Sequence, residues 1–361
     1  MSLLRKLLIQ NSGTRKIPNN TIEYTTTDGN PISLFQIGNR VIKSNIYSNG
    51  KGIITIYDDS ITELGSSSYD SFNNKTTLKT IILPSTITML YDSFSGCTSL
   101  IKCEIQAPEV QIGGSCFYNC KLLKKMNAII NGFYLPGSFY HGSFQYCEMI
   151  NKITLKEGIT SIPDSTFKYC YQADINIPTT ITKIGAEAFY LCTNLRSVSL
   201  NDGISEIGDS AFAFCTSLSK INIPSNLQKL SDNIFCGTSI TSVIVPENII
   251  EIGFNSFGNC SLLKNISLPS TLTTIGSSAF QSCESLESIE LPESIIEIGD
   301  GAFQDCKRID LTILSTAPPS IGSDIFYGVQ SYTIYVPEAS VESYKTAEGW
   351  SEFADNICPI T

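Results

Sequence analysis

Apolar positions along the chain recur with one long period. Phenylalanine stands at 72, 94, 117, 144, 167, 189, 212, 235, 257, 280, 303 and 326, at spacings of 22, 23, 27, 23, 22, 23, 23, 22, 23, 23 and 23. Around each of them the sequence reads approximately I-x-x-I-G-x-x-A-F-x-x-C-x-x-L-x-x-I-x-L-P. The clearest copy holds Ile184-Gly185-Ala186-Glu187-Ala188-Phe189, then Cys192, Leu195, Val198 and Leu200. The next holds Ile207-Gly208, Phe212, Cys215, Leu218, Ile221 and Ile223-Pro224. A period in this range is the mark of a stacked repeat array.

The physics of one unit is readable. Leu195, Val198 and Leu200 end in a period of two, which suits a short strand with one face turned inward. Proline at 84, 178, 224, 246, 269 and 292 closes that strand, because it brings no N–H to a ladder. Glycine at 185, 208, 253, 276, 299 and 322 follows an apolar residue and is expected to allow a sharp turn. The Ala-Phe-x-x-Cys portion fits one short helical or 3₁₀ turn. No unit of this size can bury its own apolar face, so the units must stack. At roughly 4.8 Å per rung, about twelve rungs make a solenoid roughly 55 Å long, with strands on one side and turns on the other.

Four segments follow. Residues 1–12 read as a flexible tail. Residues 13–59 alternate Thr, Ile and Tyr around Asp28-Gly29 and Asn49-Gly50, which read as hairpin turns of a β-rich N-terminal cap. Residues 60–336 form the repeat solenoid. Residues 337–361 read as a helical C-terminal cap begun near Glu338, with Trp350 closing the last rung. Caps of this kind shield the exposed ends of a solenoid.

The repeat resembles the leucine-rich repeats, specifically the BspA-like class with units of about 23 residues, over about residues 60–336. The recurring Ile-Gly, Ala-Phe, Cys and Leu-Pro carry the likeness. Residues 22–30 and 48–54 resemble the lead-in of gut Bacteroidetes members. Ile334-Tyr335-Val336-Pro337, residues 341–345 and Gly349-Trp350 resemble their C-terminal ending. The resemblance implies a single right-handed α/β leucine-rich-repeat solenoid. It also implies a surface adhesion or protein-binding role.

Composition changes the picture in three places. Apolar content of 42% is enough for a core, which excludes a disordered chain. A net charge of −10 argues against nucleic acid as partner. That charge is uneven: residues 1–180 carry 16 basic and 13 acidic side chains, whereas residues 181–361 carry 8 and 21. The acidic half would steer a basic partner. Part of it is structural, since Lys183, Glu206, Lys229 and Glu251 alternate six residues before the repeat Phe and suit pairing between rungs.

Thirteen cysteines invite a chemical reading, but nine of them (97, 120, 147, 170, 192, 215, 260, 283 and 306) sit three residues after the repeat Phe. Identical residues stacked in parallel aim their Cβ atoms alike, which is poor geometry for bridging. The expected role is a ladder of buried thiols donating weakly to turn carbonyls. Bridges among Cys103, Cys116, Cys236 and Cys358 stay open at this point. One histidine, His141, removes every His-cluster metal site. His141 beside Cys147 or Cys120 is the only nucleophile arrangement to weigh. No phosphate-binding loop, dinucleotide fingerprint or nucleophile elbow occurs, so no catalytic residue, cofactor or metal site is expected.

Two places suit a partner. The 27-residue spacing inserts four residues around Phe133, Tyr134, Phe139, Tyr140 and His141, and solenoid insertions map to loops. Tyr118, Tyr146, Tyr169, Tyr190 and Phe214 follow the repeat Phe by one or two residues in five consecutive units, a local aromatic stripe where later units carry Gly258, Gln281 and Gln304 at the first of these positions. For both places the competing expectation is ordinary packing. The leading functional reading is non-enzymatic recognition of a protein partner. The alternative is a structural or receptor-binding component of a larger assembly such as a phage particle. The first ten residues lack the roughly 7–15-residue apolar run of an export signal, and no window reaches the roughly 18 apolar residues of a membrane span. That favours the cytoplasm or a virion, whereas the resemblance favours the cell surface.

Overall fold

The structure, a computed structural model, describes residues 16–34, 36–37, 40–65, 72–134 and 141–360. The chain divides into two compact units, Met1–Tyr140 and His141–Thr361. The division falls within the insertion that breaks the repeat rhythm.

In the first unit, Thr21–Thr26, Arg40–Ser48 and Lys51–Ile56 form an antiparallel cap. Asn49 and Gly50, both at positive φ, make the tight hairpin between the last two, as such a turn requires. The Asp28-Gly29 turn is not a hairpin. The strand after it, Gln36–Ile37, pairs with Arg40–Ser48, and the Asp28 carboxylate instead accepts the Asn30 N–H at 3.1 Å. The free edge of Thr21–Thr26 pairs antiparallel with Leu78–Leu83, which fastens the cap to the first repeat strand. Ile22 and Tyr24 are buried beneath this junction, and the Tyr24 hydroxyl donates to Asn45 Oδ1 at 2.8 Å.

Each rung carries two parallel ladders rather than the one expected. In the first unit Leu78–Leu83, Lys102–Ile105 and Lys125–Met126 form one. Glu63–Leu64, Met89–Leu90, Glu109–Gly113 and Ile129–Tyr134 form the other. The second ladder arises from the I-x-x-I-G portion, whose two-residue strands are too short to announce themselves by alternation.

The second unit repeats this plan around nine repeat phenylalanines. Their rings stack in one buried file at centroid spacings from 5.2 Å (Phe189–Phe212) to 6.1 Å (Phe303–Phe326). The third side is also bonded between rungs: the N–H groups of Phe167, Phe189 and Phe257 donate to Ala188, Ala211 and Ala279 carbonyls at 2.8–2.9 Å. The repeat glycine serves close approach rather than a sharp turn. A Cβ at Gly208 would lie 2.4 Å from the Ala186 nitrogen on the preceding rung. Together the two units hold about twelve turns of about 23 residues.

At the C-terminal end Ser331–Val336 is followed by a 3₁₀ turn (Glu338–Ser340), a helix (Val341–Thr346) and a 3₁₀ segment (Trp350–Asn356). Ile357–Pro359 then returns as a parallel strand beside Ser331–Val336. Tyr344 and Trp350 are fully buried under this cap, their rings edge to face at 5.3 Å.

Candidate functional site

The Phe-x-x-Cys portion is neither α-helical nor 3₁₀. The residues two before and two after the repeat Phe adopt the left-handed conformation, rung after rung. Most rungs fill the later position with residues that tolerate it: Asn74, Gly96, Asn119, Gly237, Asn259, Ser282, Asp305 and Gly328. Four consecutive rungs of the second unit do not. They place Tyr146 (φ 63), Tyr169 (φ 63), Leu191 (φ 59) and Phe214 (φ 57) there. Each bulky residue in this conformation costs about 1–2 kcal/mol. The earlier position holds a further exception, Glu187 (φ 55), where neighbouring rungs place Ser165 and Ser210.

These side chains form one continuous patch. Tyr146 and Tyr169 stack at 4.5 Å and 9°. Tyr169 meets Tyr190 edge to face at 5.7 Å, and Tyr190 meets Phe214 likewise at 5.6 Å. Tyr171 adds a fifth ring, edge-on to Tyr169 at 6.2 Å. All five are half-buried. Lys168 places its ammonium 5.7 Å from the Tyr169 centroid and 5.1 Å from that of Tyr190, and its charge is met by Glu187 Oε2 at 2.6 Å. Desolvation, then the neighbouring Tyr146 and Tyr190 rings, push the Tyr169 hydroxyl above the usual tyrosine range. The patch is therefore aromatic, hydroxyl-bearing and self-neutralised, within a unit of 11 basic and 25 acidic side chains.

Of the residues singled out by sequence, Tyr146, Tyr169, Tyr190 and Phe214 come together here. Tyr118 lies half-buried in the first unit. Phe133 and Tyr134 end the strand Ile129–Tyr134, where Tyr134 is exposed and its ring lies edge-on to Tyr91 at 6.1 Å. His141 is exposed, while Phe139 and Tyr140 lie outside the described residues. Sequence reasoning missed Lys168, Tyr171, Glu187 and Leu191. The run of Asn, Gly, Ser and Asp at the left-handed positions was the signal that would have exposed Glu187 and Leu191 as departures.

The cysteine column is structural. The Sγ–H groups of Cys97, Cys120, Cys170, Cys192, Cys215, Cys260, Cys283 and Cys306 reach back to the repeat Phe carbonyl of the preceding rung, Cys97 to Phe72 at 2.8 Å, Cys215 to Phe189 at 3.1 Å and Cys283 to Phe257 at 3.2 Å. Burial pushes the Cys97, Cys215 and Cys306 thiols up to about 12 and that of Cys260 to about 11, the reverse of what a nucleophile needs. Cys103, Cys116 and Cys236 are buried thiols and Cys358 is a half-buried one, so the bridges left open by sequence are not formed among them. His141 is exposed where Cys147 and Cys120 are buried. Among the described residues no three His, Cys, Asp or Glu side chains are grouped to hold a metal ion, and no helix is long and apolar enough to cross a membrane.

Two parallel ladders, a turn column and a buried Phe file repeated every 22–23 residues define a leucine-rich-repeat solenoid. Within that class the profile of the BspA-type leucine-rich repeat region matches residues 40–134, 137–249 and 228–347, and the chain belongs to this family. Its fold is similar to a leucine-rich repeat protein from Bacteroides ovatus (TM-score 0.56, 20% identity, over 89% of this chain and 74% of that one). It is also similar to a leucine rich cell surface protein from Faecalibacterium prausnitzii (TM-score 0.50, 22% identity, over 94% and 99%). At these identities the likeness is one of fold. No curated protein matches the sequence.

Proposed function

We propose that the chain is a non-enzymatic recognition protein whose partner is a protein seated on the aromatic patch of Tyr146, Tyr169, Tyr171, Tyr190 and Phe214. The observation that carries this reading is the backbone. Three aromatic side chains, Tyr146, Tyr169 and Phe214, occupy left-handed positions that other rungs give to Asn, Gly, Ser or Asp. Packing alone does not require them, since the remaining rungs close without them. Strain of this kind gathers where a surface is used. Aromatic rings with few rotors bring large contact area at low entropic cost.

Charge narrows the partner. The patch carries only the Lys168–Glu187 pair, while residues 141–361 carry a net charge of −14. The complementary surface is apolar at its centre and basic at its rim. Attraction to the acidic unit speeds encounter, and the rings hold the complex. The buried, weakly acidic thiols support the non-enzymatic part of the reading.

The test uses a partner captured by the chain from cell-surface or matrix extract and identified before the variant is made. A Tyr146→Asn, Tyr169→Asn, Phe214→Asn variant should lose at least about 100-fold in affinity, the loss of two or more interface anchors. Tyr118→Ser and Tyr134→Ser should bind as the parent does. The association rate should fall as salt rises. Full binding by the triple variant would rule the patch out.

A further inference from the structure

One place in the second unit joins successive rungs by backbone-to-backbone bonds on one side only. Between the rungs of Phe212 and Phe235 both parallel ladders stop. Glu206–Ile207 and Lys229–Leu230 lie in separate sheets, as do Lys220–Ile221 and Ser242–Ile244. Elsewhere the bond from the repeat glycine N–H spans the gap: Gly208 to Ile184, Gly253 to Leu230, Gly276 to Ile252 and Gly299 to Ile275, all at 2.7–2.9 Å. Here the glycine position is Ser231, and no N–H bond is made across it. A Cβ at Gly208, Gly276, Gly299 or Gly322 would fall 2.4–2.7 Å from backbone atoms of the preceding rung. Ser231 carries that Cβ, so its rung stands off, and its hydroxyl reaches across to the Ile207 carbonyl instead.

Two further departures coincide. The thiol column is broken, because Thr238 replaces cysteine three residues after Phe235 and bonds forward to Cys260 at 3.3 Å instead of back to Phe212. The rung is also one residue short: Ile240 follows Phe235 by five where Leu218 follows Phe212 by six. Clefts open on both stopped ladders, of ≈ 420 Å³ beside Ile207, Leu227 and Ser231 and of ≈ 680 Å³ beside Ile221, Val243 and Ile244. The turn side stays closed, with Ser210, Phe212 and Phe214 N–H groups bonded to Asp232, Ile234 and Cys236 carbonyls at 2.7–3.1 Å.

We infer that the second unit hinges at this seam, the rungs up to Phe212 pivoting against those from Phe235 onward about the turn-side column. Backbone hydrogen bonds on one of three sides make an axis, and the other two sides are bridged only through side chains. Ser231 Oγ donates to the Ile207 carbonyl, the Ser225 and Asp232 N–H groups to the Asp202 and Asp209 carboxylates, and Ser239 Oγ to the Thr216 carbonyl. These bonds resist rotation less than a ladder does. The aromatic patch ends on that axis at Phe214. The hinge lets the patch-bearing rungs adjust to a surface pressed against them, yet it stands on backbone bonding and does not require that the patch bind anything.

Amide hydrogen exchange on the full chain tests this. Residues 226–231 and 241–245 should exchange at least ~10-fold faster than the equivalent 248–253 and 264–268. Ser231→Gly should close the seam and bring the first ladder to within ~3-fold of its neighbours. Ser231→Ala, which keeps the Cβ and loses the hydroxyl bond, should exchange faster than the parent. Gly253→Ser should open a second seam one rung later. Uniform protection along the parent chain overturns the hinge. So does seam exchange that responds to neither Ser231 variant.

Discussion

The ring of Phe214 lies directly over the Cα of Gly237 on the next rung, so close that a Cβ on Gly237 would sit 2.6 Å from Phe214 Cδ1. Gly237 also holds a left-handed backbone (φ 68). The two facts give Gly237→Ala two separate costs. The conformational one is about 1–2 kcal/mol, and displacement of the ring adds about 1–3 kcal/mol of overpacking. Urea denaturation should show both in Gly237→Ala. The double variant Phe214→Ala, Gly237→Ala should recover the steric part, giving a coupling energy of at least about 0.5 kcal/mol. Simple additivity of the two would show that the ring is free to move aside.

The left-handed tyrosines lead to an expectation of the opposite kind. Tyr169→Asn removes a stacked pair worth about 0.5–1.5 kcal/mol while relieving about 1–2 kcal/mol of backbone strain. The two nearly cancel, so the variant should melt within about 4 °C of the parent. Tyr169→Ala, which loses the ring and gains no asparagine-like tolerance of positive φ, should be the less stable of the two. If Asn and Ala behaved alike, the left-handed backbone would not be under strain.

How much of this was legible in sequence depended on the length of the signal. The Phe, Cys and Gly columns recur often enough to specify the rung, its period and the stacking. The second ladder was hidden because pairs such as Lys183–Ile184 are two residues long, too short for alternation to register. The Gly column was seen for the wrong reason. Its role is the approach of the next backbone, as the gap at Ser231 demonstrates. In the same way Tyr146 and Tyr169 were visible as an aromatic stripe, but their strain was not, because φ becomes readable only when the Asn and Gly of the other rungs are recognised as a conformational column. Lys168 and Glu187, 19 residues apart, meet only once the rungs stack.

The thiol column makes stability fall on the alkaline side. For each buried cysteine the folded thiol stays protonated to about 12 (Cys97, Cys215, Cys306) or about 11 (Cys260), whereas the unfolded one ionises near 9. A group raised in the folded state contributes its full stability below the unfolded value and loses it as pH climbs toward the folded one. Between about pH 9 and 11 each such thiol should lower unfolding free energy by about 1.4 kcal/mol per pH unit. Cys215→Ser, whose hydroxyl does not ionise in this range, should reduce the slope by that amount in urea titrations at successive pH values. Exposure makes the same point chemically. At pH 8 a disulfide-exchange reagent should modify Cys358 rapidly and the twelve buried thiols only on denaturation. Several fast thiols in the native chain would contradict the burial.

The C-terminal cap holds the last rungs through a single indole. Trp350 donates its Nε1–H to the Pro319 carbonyl at 2.7 Å, is fully buried, and packs edge to face on Tyr344, whose hydroxyl donates to the Ser315 carbonyl at 2.9 Å. Both acceptors lie in the loop that leads to the final rung, so the cap closes that loop with polar bonds as well as bulk. Trp350→Phe keeps most of the volume and loses the donor, leaving a buried carbonyl unmatched at a cost of about 1–3 kcal/mol. Trp350→Ala removes the ring as well, at about 3–5 kcal/mol. Far-UV circular dichroism in urea, which follows the repeats rather than the cap, should register both losses in that order if capping stabilises the rungs beneath. A Trp350→Ala chain whose repeat transition stayed within about 0.5 kcal/mol of the parent would mean that the cap folds onto the solenoid without supporting it.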